Sequence, residues 1–457
     1  MEKNSPMKRI ILIALVAAIP LHATKAQELS TAFFLDHYDF GYRINPAFQP
    51  DERISGTFGF GVDNINVGSN SNVGLNNFLF PSGGKLVTGL HKDISAESFL
   101  GNLPESCTAD AKANINIINA GFRIGKKGYG SVELNSRTHL DTQIPRGYFE
   151  FLKTAGTNGK SNSFDIRNTN LSVNECLELA FGYSHKLGNR FSFGARVKLQ
   201  FGLARADMLA EQIKIDVPAN SPVVDLAGRG TLSIYAPFIS VGTVVKEMGT
   251  GQKTVYDINS IKKGILSLAG FGAAFDLGFQ LEPMDGLTLS LAAQDLGFIK
   301  WNKTLSGVMN YSESVEFSNI RELTDNFGEL FNNFEPTEDR NAETQTINFT
   351  LRAGARYKMP FYDKLSVGIL GSLSGGLSKY SELRLGATVS PVKNVSITAN
   401  YGRTSFGNVL GCAANFNLGP FGIFIGTDSL ALRYTPQFVP VDPIRTTVTA
   451  GIVIQFI

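Results

Sequence analysis

The stretch FSFGARVKLQFG at positions 191–202 interleaves two sequences. Phe191, Phe193, Ala195, Val197, Leu199 and Phe201 take one set of alternate positions; Ser192, Gly194, Arg196, Lys198, Gln200 and Gly202 take the other. Successive side chains point to opposite faces only in a β-strand, so this pattern predicts a long strand with one apolar and one polar face. The same alternation recurs over 132–140, 176–187 and 346–358, and in shorter form in LSVGILGSL, LRLGATVS, VSITANYG, LGCAANFNLG and FGIFIGT. In AKANINIINAGFRI the polar phase switches near Ile118, which marks a β-bulge.

Two architectures use such strands. In a soluble sandwich the apolar face is core; in an outer-membrane barrel it meets lipid, and Arg196 and Lys198 line the lumen. Strand length favours the barrel. Eleven residues at ~3.3 Å each, tilted by ~40°, rise roughly 28 Å and cross the ~25 Å apolar band of a bacterial barrel. Strands of soluble proteins run to about 5–6 residues. The links agree. Short ones at 418–421, 390–394, 359–363, 281–286, 187–190 and 125–128 alternate with longer ones near 428–444, 404–408, 374–381, 299–345, 204–266 and 141–175. Short periplasmic turns and longer outer loops are the barrel rule. With an opening strand near 54–62, the expectation is an all-β transmembrane antiparallel barrel of about fourteen strands, spanning 52–457. The terminal strand TTVTAGIVIQFI is amphipathic with an aromatic near its end, which suits recognition by the barrel-insertion machinery. Phe361, Tyr362, Tyr357, Tyr183, Tyr401 and Trp301, near strand ends, fit the interfacial aromatic girdles.

The N-terminus sets the compartment. Met7-Lys8-Arg9, the apolar run 10–19 and the segment HATKAQ read as a secretory signal, residues 1–26, with cleavage after Ala26. The run is too short for a spanning helix, which needs ~20 apolar residues. Residues 27–51, polar and containing INPAFQP, suit a hatch or plug tucked into the lumen, with Asn45, Pro46 and Phe48 at its centre. A barrel of this size lies between the eight-stranded kind filled by side chains and the open sixteen-stranded porin, so it needs such a filling.

Composition narrows the chemistry. A net charge of +2 over 457 residues gives no reason to expect nucleic acid, and 47 Gly with 34 Phe suit a large curved sheet. Cys107, Cys176 and Cys412 match no metal spacing; one bridge is allowed in an oxidising compartment. His37, His91, His139 and His185 are scattered, and no nucleophile motif accompanies them. GFGAAFDLG alternates as a strand rather than forming a nucleotide loop. The expectation is therefore no enzyme, no cofactor and no metal. Arg196, Lys198, Asp276, Arg352 and Arg356 are placed on the lumen face, where Asp276 either selects a ligand or closes an internal salt bridge.

Two loop segments carry apolar stripes at helical spacing. FSNIRELTDNFGELFNNF places Ile320, Leu323, Phe327, Leu330 and Phe331 on one face, and GKLVTGLHKDISAESFLGNL predicts a second short amphipathic helix in the first outer loop. These stripes either form a groove for a hydrophobic molecule or cap the barrel rim.

The segments ELSTAFFLDHYDFGYRINPAFQP, INVGSNSNVGLNNFLFP and GFGAAFDLGFQLEPMDGLTLSLAAQDLGFIKW resemble a family of outer-membrane proteins of Bacteroidetes-type bacteria. That family is similar in turn to the long-chain fatty-acid transporter superfamily, which includes barrels serving type IX secretion. The resemblance implies a fourteen-stranded barrel with an N-terminal hatch. Two functions follow as expectations: passive uptake of a hydrophobic or amphipathic small molecule across the outer membrane, or a non-transporting scaffold that holds a secreted protein. The partners expected are outer-membrane lipids, the barrel-insertion machinery, and that small molecule or secreted protein.

Overall fold

The computed structural model describes residues 29–154, 161–217, 223–248, 251–261, 267–316, 335–337, 341–375, 380–405, 407–430, 441, 443 and 445–457. The signal segment 1–26 and the stripe of Ile320, Leu323, Phe327, Leu330 and Phe331 lie outside the described residues.

Fourteen strands form the wall: β1 (Gly56–Ser71), β2 (Ser106–Ile124), β3 (Gly128–Pro145), β4 (Asn162–Leu187), β5 (Phe191–Val217), β6 (Gly270–Met284) and β7 (Leu287–Asn302) in the first half. The second half is β8 (Thr350–Lys358), β9 (Leu365–Ser374), β10 (Tyr380–Val392), β11 (Val395–Thr404), β12 (Gly407–Leu418), β13 (Phe421–Ser429) and β14 (Arg445–Phe456). Each pairs antiparallel with its chain neighbour, and β14 pairs back onto β1 from Gly56↔Phe456 to Asn70↔Arg445. The sheet is a closed up-and-down barrel, so no wall strand keeps a free edge.

Burial inverts the usual order of a soluble protein. On β5, Val197 is 41% exposed, whereas Arg196 and Lys198 are 5% and 4% exposed. Phe181, Phe271, Phe275, Leu291, Leu385 and Ile454 also face outward and exposed. That outer surface is stable only against hydrocarbon. The phase switch sensed near Ile118 is a bulge: Asn116 pairs with Asn135, but Ile118 pairs with Leu134.

One end carries tight turns, such as 188–190 and 419–420, where Gly188 and Gly419 take the positive φ these reversals need. Chain entry and exit at Gly56 and Phe456 lie at that end. The opposite end carries the large connections, with three corrections to the sequence reading. The 404–408 link is short, since Thr404 pairs directly with Gly407. The 141–175 link is mostly strand, because β3 runs to Pro145 and β4 starts at Asn162. In these outer parts the alternation is short, with Phe164, Ile166 and Ile215 buried among polar neighbours, so the strand is harder to read from sequence. In 84–103 only α2 (Ala96–Gly101) is helical, after α1 (Leu75–Phe78) and before α3 (Arg146–Thr154). Its N-terminal part is instead a hairpin of Leu79–Ser82 and Lys85–Thr88, turned by Gly83 and Gly84, both at positive φ. Phe99, Ile94, Leu103 and Cys107 form a small core there with Phe78, Phe80 and Phe149.

The segment 29–55 enters the barrel from the tight-turn end. Two 3₁₀ turns, Ser30–Phe34 and Gly41–Arg43, are buried against the inner wall. Phe33, Phe34, Tyr38, Phe40, Tyr42 and Phe48 cluster with the wall residues Tyr129, Leu370, Phe424 and Val453.

Candidate functional site

The bore holds the chemistry, and the N-terminal segment divides it. Asn45 Nδ2 donates to the carbonyls of Phe279 and Leu291 at 3.1 and 3.2 Å, and Asn45 Oδ1 accepts from the Ala47 amide at 2.9 Å. Pro46 then lies against Gly194 and Gly278. A Cβ on Gly278 would sit 2.7 Å from Pro46 Cδ, so only glycine admits the segment there. Phe34 likewise rests on Gly386, where a Cβ would sit 2.7 Å from its ring. Phe48 packs beside Phe33, with ring centroids 6.2 Å apart.

One rung further from the tight turns the inner face becomes ionic. Arg43 reaches from the N-terminal segment to Glu133, its Nη2 2.5 Å from Oε1, and Arg196 pairs with the same carboxylate. Arg196 lies 3.3 Å and Lys198 2.7 Å from Asp276 Oδ2. Lys198 also lies 2.7 Å from Asp295, which Arg137 approaches at 3.1 Å. Arg137 continues to Glu178 at 2.5 Å, and Gln200 donates to Glu178 at 2.7 Å. Four cations thus interleave with four carboxylates, so the buried charge is compensated within the ladder. Asp276 is fully buried, with Oδ1 accepting the Asp295 amide at 2.8 Å; it closes an internal salt bridge.

The remaining lumen residues anchor the N-terminal segment. Arg352 donates to Gln294, which donates to the Arg43 carbonyl. Arg356 holds the Phe33 and Leu35 carbonyls at 3.3 and 3.1 Å and pairs with Asp36. Asp428 on β13 accepts the amides of Ser30 and Thr31 at 2.8 and 2.6 Å, and Glu382 accepts from the Ser30 hydroxyl at 2.5 Å. Within the segment, burial pushes the Asp39 carboxyl up to about 6, despite a 2.6 Å hydrogen bond from Gln455. Asp51 goes the other way, to about 2: its burial is outweighed by hydrogen bonds from Arg53 and by the Arg53 and His37 charges.

Above this segment lies a cavity of about 170 Å³, lined by the ladder residues, by Arg352 and Thr350, and by Trp301 and Tyr380. Trp301 corrects the girdle assignment: it is 1% exposed, donates from Nε1 to Gln345 at 3.0 Å and lies edge-on to Tyr235. The cause is Asp295, at φ +58°, in a bulge between the Phe275↔Leu296 and Leu277↔Ala293 pairs. The extra residue turns Asp295, Ile299 and Trp301 inward and Leu296 and Phe298 outward. Strict alternation hides Asp295 from the sequence; the one clue is an acid in an apolar phase, of a type that tolerates left-handed backbone. Glu133 and Glu382 lie in polar phases; Glu133 finds Arg43 of the N-terminal segment and Arg196 of β5, whereas Glu382 pairs with Arg384 two residues on along β10. All three cysteines are free thiols.

The profile of a family of unknown function (DUF5723) matches residues 46–428. No curated protein matches the chain. Among solved structures it is similar to the toluene transporter TodX of Pseudomonas putida, at 10% identity over 94% of this chain and 98% of that one, TM-score 0.47. It is also similar to the toluene transporter TbuX of Ralstonia pickettii, at 8% identity over 88% and 90%, TM-score 0.41. A FadL homologue of Pseudomonas aeruginosa matches at 11% identity over 95% and 98%, TM-score 0.43. At these values the likeness says nothing of what this chain carries.

Proposed function

The chain belongs to this family of unknown function, DUF5723, and we propose that it is an outer-membrane barrel for passive uptake of an amphipathic small molecule, closed at rest by its own N-terminal segment. The observation that carries this reading is the division of the bore: a packed plug from Leu29 to Ala47 below, and an open cavity of about 170 Å³ directly above it. On the scale of one water per ~10–15 Å³ of such space, the cavity holds roughly ten water-sized groups. Its walls are charged, so a solute resting there must carry polar groups as well as any apolar part. In this reading the plug shifts to allow passage, since its aromatic cluster packs against the inner wall. The stripe of Ile320, Leu323, Phe327, Leu330 and Phe331 is the proposed first contact for the apolar part.

A second reading, a scaffold for a secreted protein, draws on the length of β4 and β5. At 26 and 27 residues they run far past the membrane and continue the sheet through Val223–Tyr235 and Leu305–Glu316. Uptake of a labelled short-chain amphiphile by cells whose own outer membrane excludes it tests the first reading. Expected is barrel-dependent uptake, lowered by Phe327→Asp with Phe331→Asp. No uptake, together with a stoichiometric protein crosslinked to the projecting sheet, favours the scaffold.

A further inference from the structure

We propose that the outer mouth of the bore is a divalent-metal site made by Asp110, His139 and Asp141. Asp110 on β2 lies directly opposite Asp141 on β3, and His139 stands two residues before Asp141. The three therefore share one face of the sheet, and Asp110 and His139 line the cavity. One carboxylate oxygen from each aspartate and one imidazole nitrogen all lie within 4.8 Å of one another. Ligand bonds of about 2.0–2.2 Å put donors at most ~4.4 Å apart, so small side-chain rotations close the site. Two paired strands fix the Cα positions of all three ligands, which lowers the ordering cost of binding.

The donor set fixes the chemical class. Two carboxylates and one imidazole neutralise a divalent ion and suit Mn²⁺, Fe²⁺ or Zn²⁺; soft ions that want thiolates are disfavoured. The cavity side leaves coordination positions for water or for a chelating group on a solute. Lys112 decides between this reading and a plain ion-pair cluster. It pairs across from His139 on the same face, and its ammonium repels an arriving cation while balancing the two carboxylates in the ion's absence. A metal site gains affinity when that charge is removed; an ion-pair cluster has no affinity to gain.

The test is calorimetric titration of the full barrel in detergent, stripped with chelator, using Mn²⁺ and then Zn²⁺. Expected is one ion per chain, affinity lowered at least tenfold in Asp110→Asn and in His139→Gln, and raised several-fold in Lys112→Gln. Melting temperature rises with metal in the unaltered chain and in Lys112→Gln, but not in Asp110→Asn or His139→Gln. Circular dichroism checks the fold of each variant, and Asp141→Asn replaces one that fails to fold. Absence of stoichiometric binding, affinity unchanged in Asp110→Asn or in His139→Gln, or weaker binding in Lys112→Gln overturns the proposal.

Discussion

The two halves of the bore are enclosed by the same fourteen strands and filled in opposite ways. Toward the tight turns the inner face is small, with Gly194, Gly278 and Gly386 making room for Pro46 and Phe34, and the filling is aromatic. Toward the long connections the next inward residues on those strands are Arg196, Asp276 and Arg384, which are buried and ion-paired. The switch takes one rung. A wall of constant period can thus hold a plug in one half and a polar chamber in the other, because the inner face is free of the lipid constraint that keeps the outer face uniformly apolar.

Glu133 sits at the boundary, bound to Arg43 of the plug and Arg196 of the wall. Glu133→Leu leaves two buried guanidinium groups short of a partner and should destabilise by about 3–5 kcal/mol. Melting temperature, together with hydrogen exchange over residues 29–50, checks this: both protection and stability should fall. Gly386→Val crowds the Phe34 ring in the lower half alone and should cost about 1–3 kcal/mol. Here exchange over 29–35 should rise while the upper ladder stays protected. An equal loss in both halves would erase the distinction between them.

Asp39 gives a smaller, pH-dependent effect. Its carboxyl, raised from an ordinary value of 3.8 to about 6 by burial, keeps its proton in the docked plug only up to about pH 6. Docking is therefore strongest below pH 3.8 and weakens as pH rises through about 6. Between pH 5 and pH 7.5 the loss is about 1 kcal/mol. Plug exchange should be slower at pH 5 once the intrinsic rate is corrected, and Asp39→Asn should remove the difference.

How far these features were legible follows from period. Arg196, Lys198, Asp276, Arg352 and Arg356 could be put on the inner face because a strand alternates strictly and charge on lipid is costly. Asn45 and Pro46 stood out by residue type, yet their fit depends on Gly194 and Gly278, more than 140 positions later. Trp301 was misplaced because a single left-handed residue, Asp295, resets the phase ahead of it. The outer parts of β4 and β5 keep only short apolar phases, Phe164 with Ile166 and Ile213 with Ile215, among polar residues, and they read as loop. Partner choice within the ionic ladder needs strand order, which period alone does not supply.

Spin labels at paired positions across one strand face test the wall most directly. Nitroxides at Val197, Phe275 and Leu385 in the reconstituted barrel should collide with oxygen far more than with an aqueous nickel chelate, and labels at Gln200 and Thr388 should be shielded from oxygen. Equal accessibility to the nickel chelate at both sets would contradict a lipid-facing apolar side and a plugged polar interior.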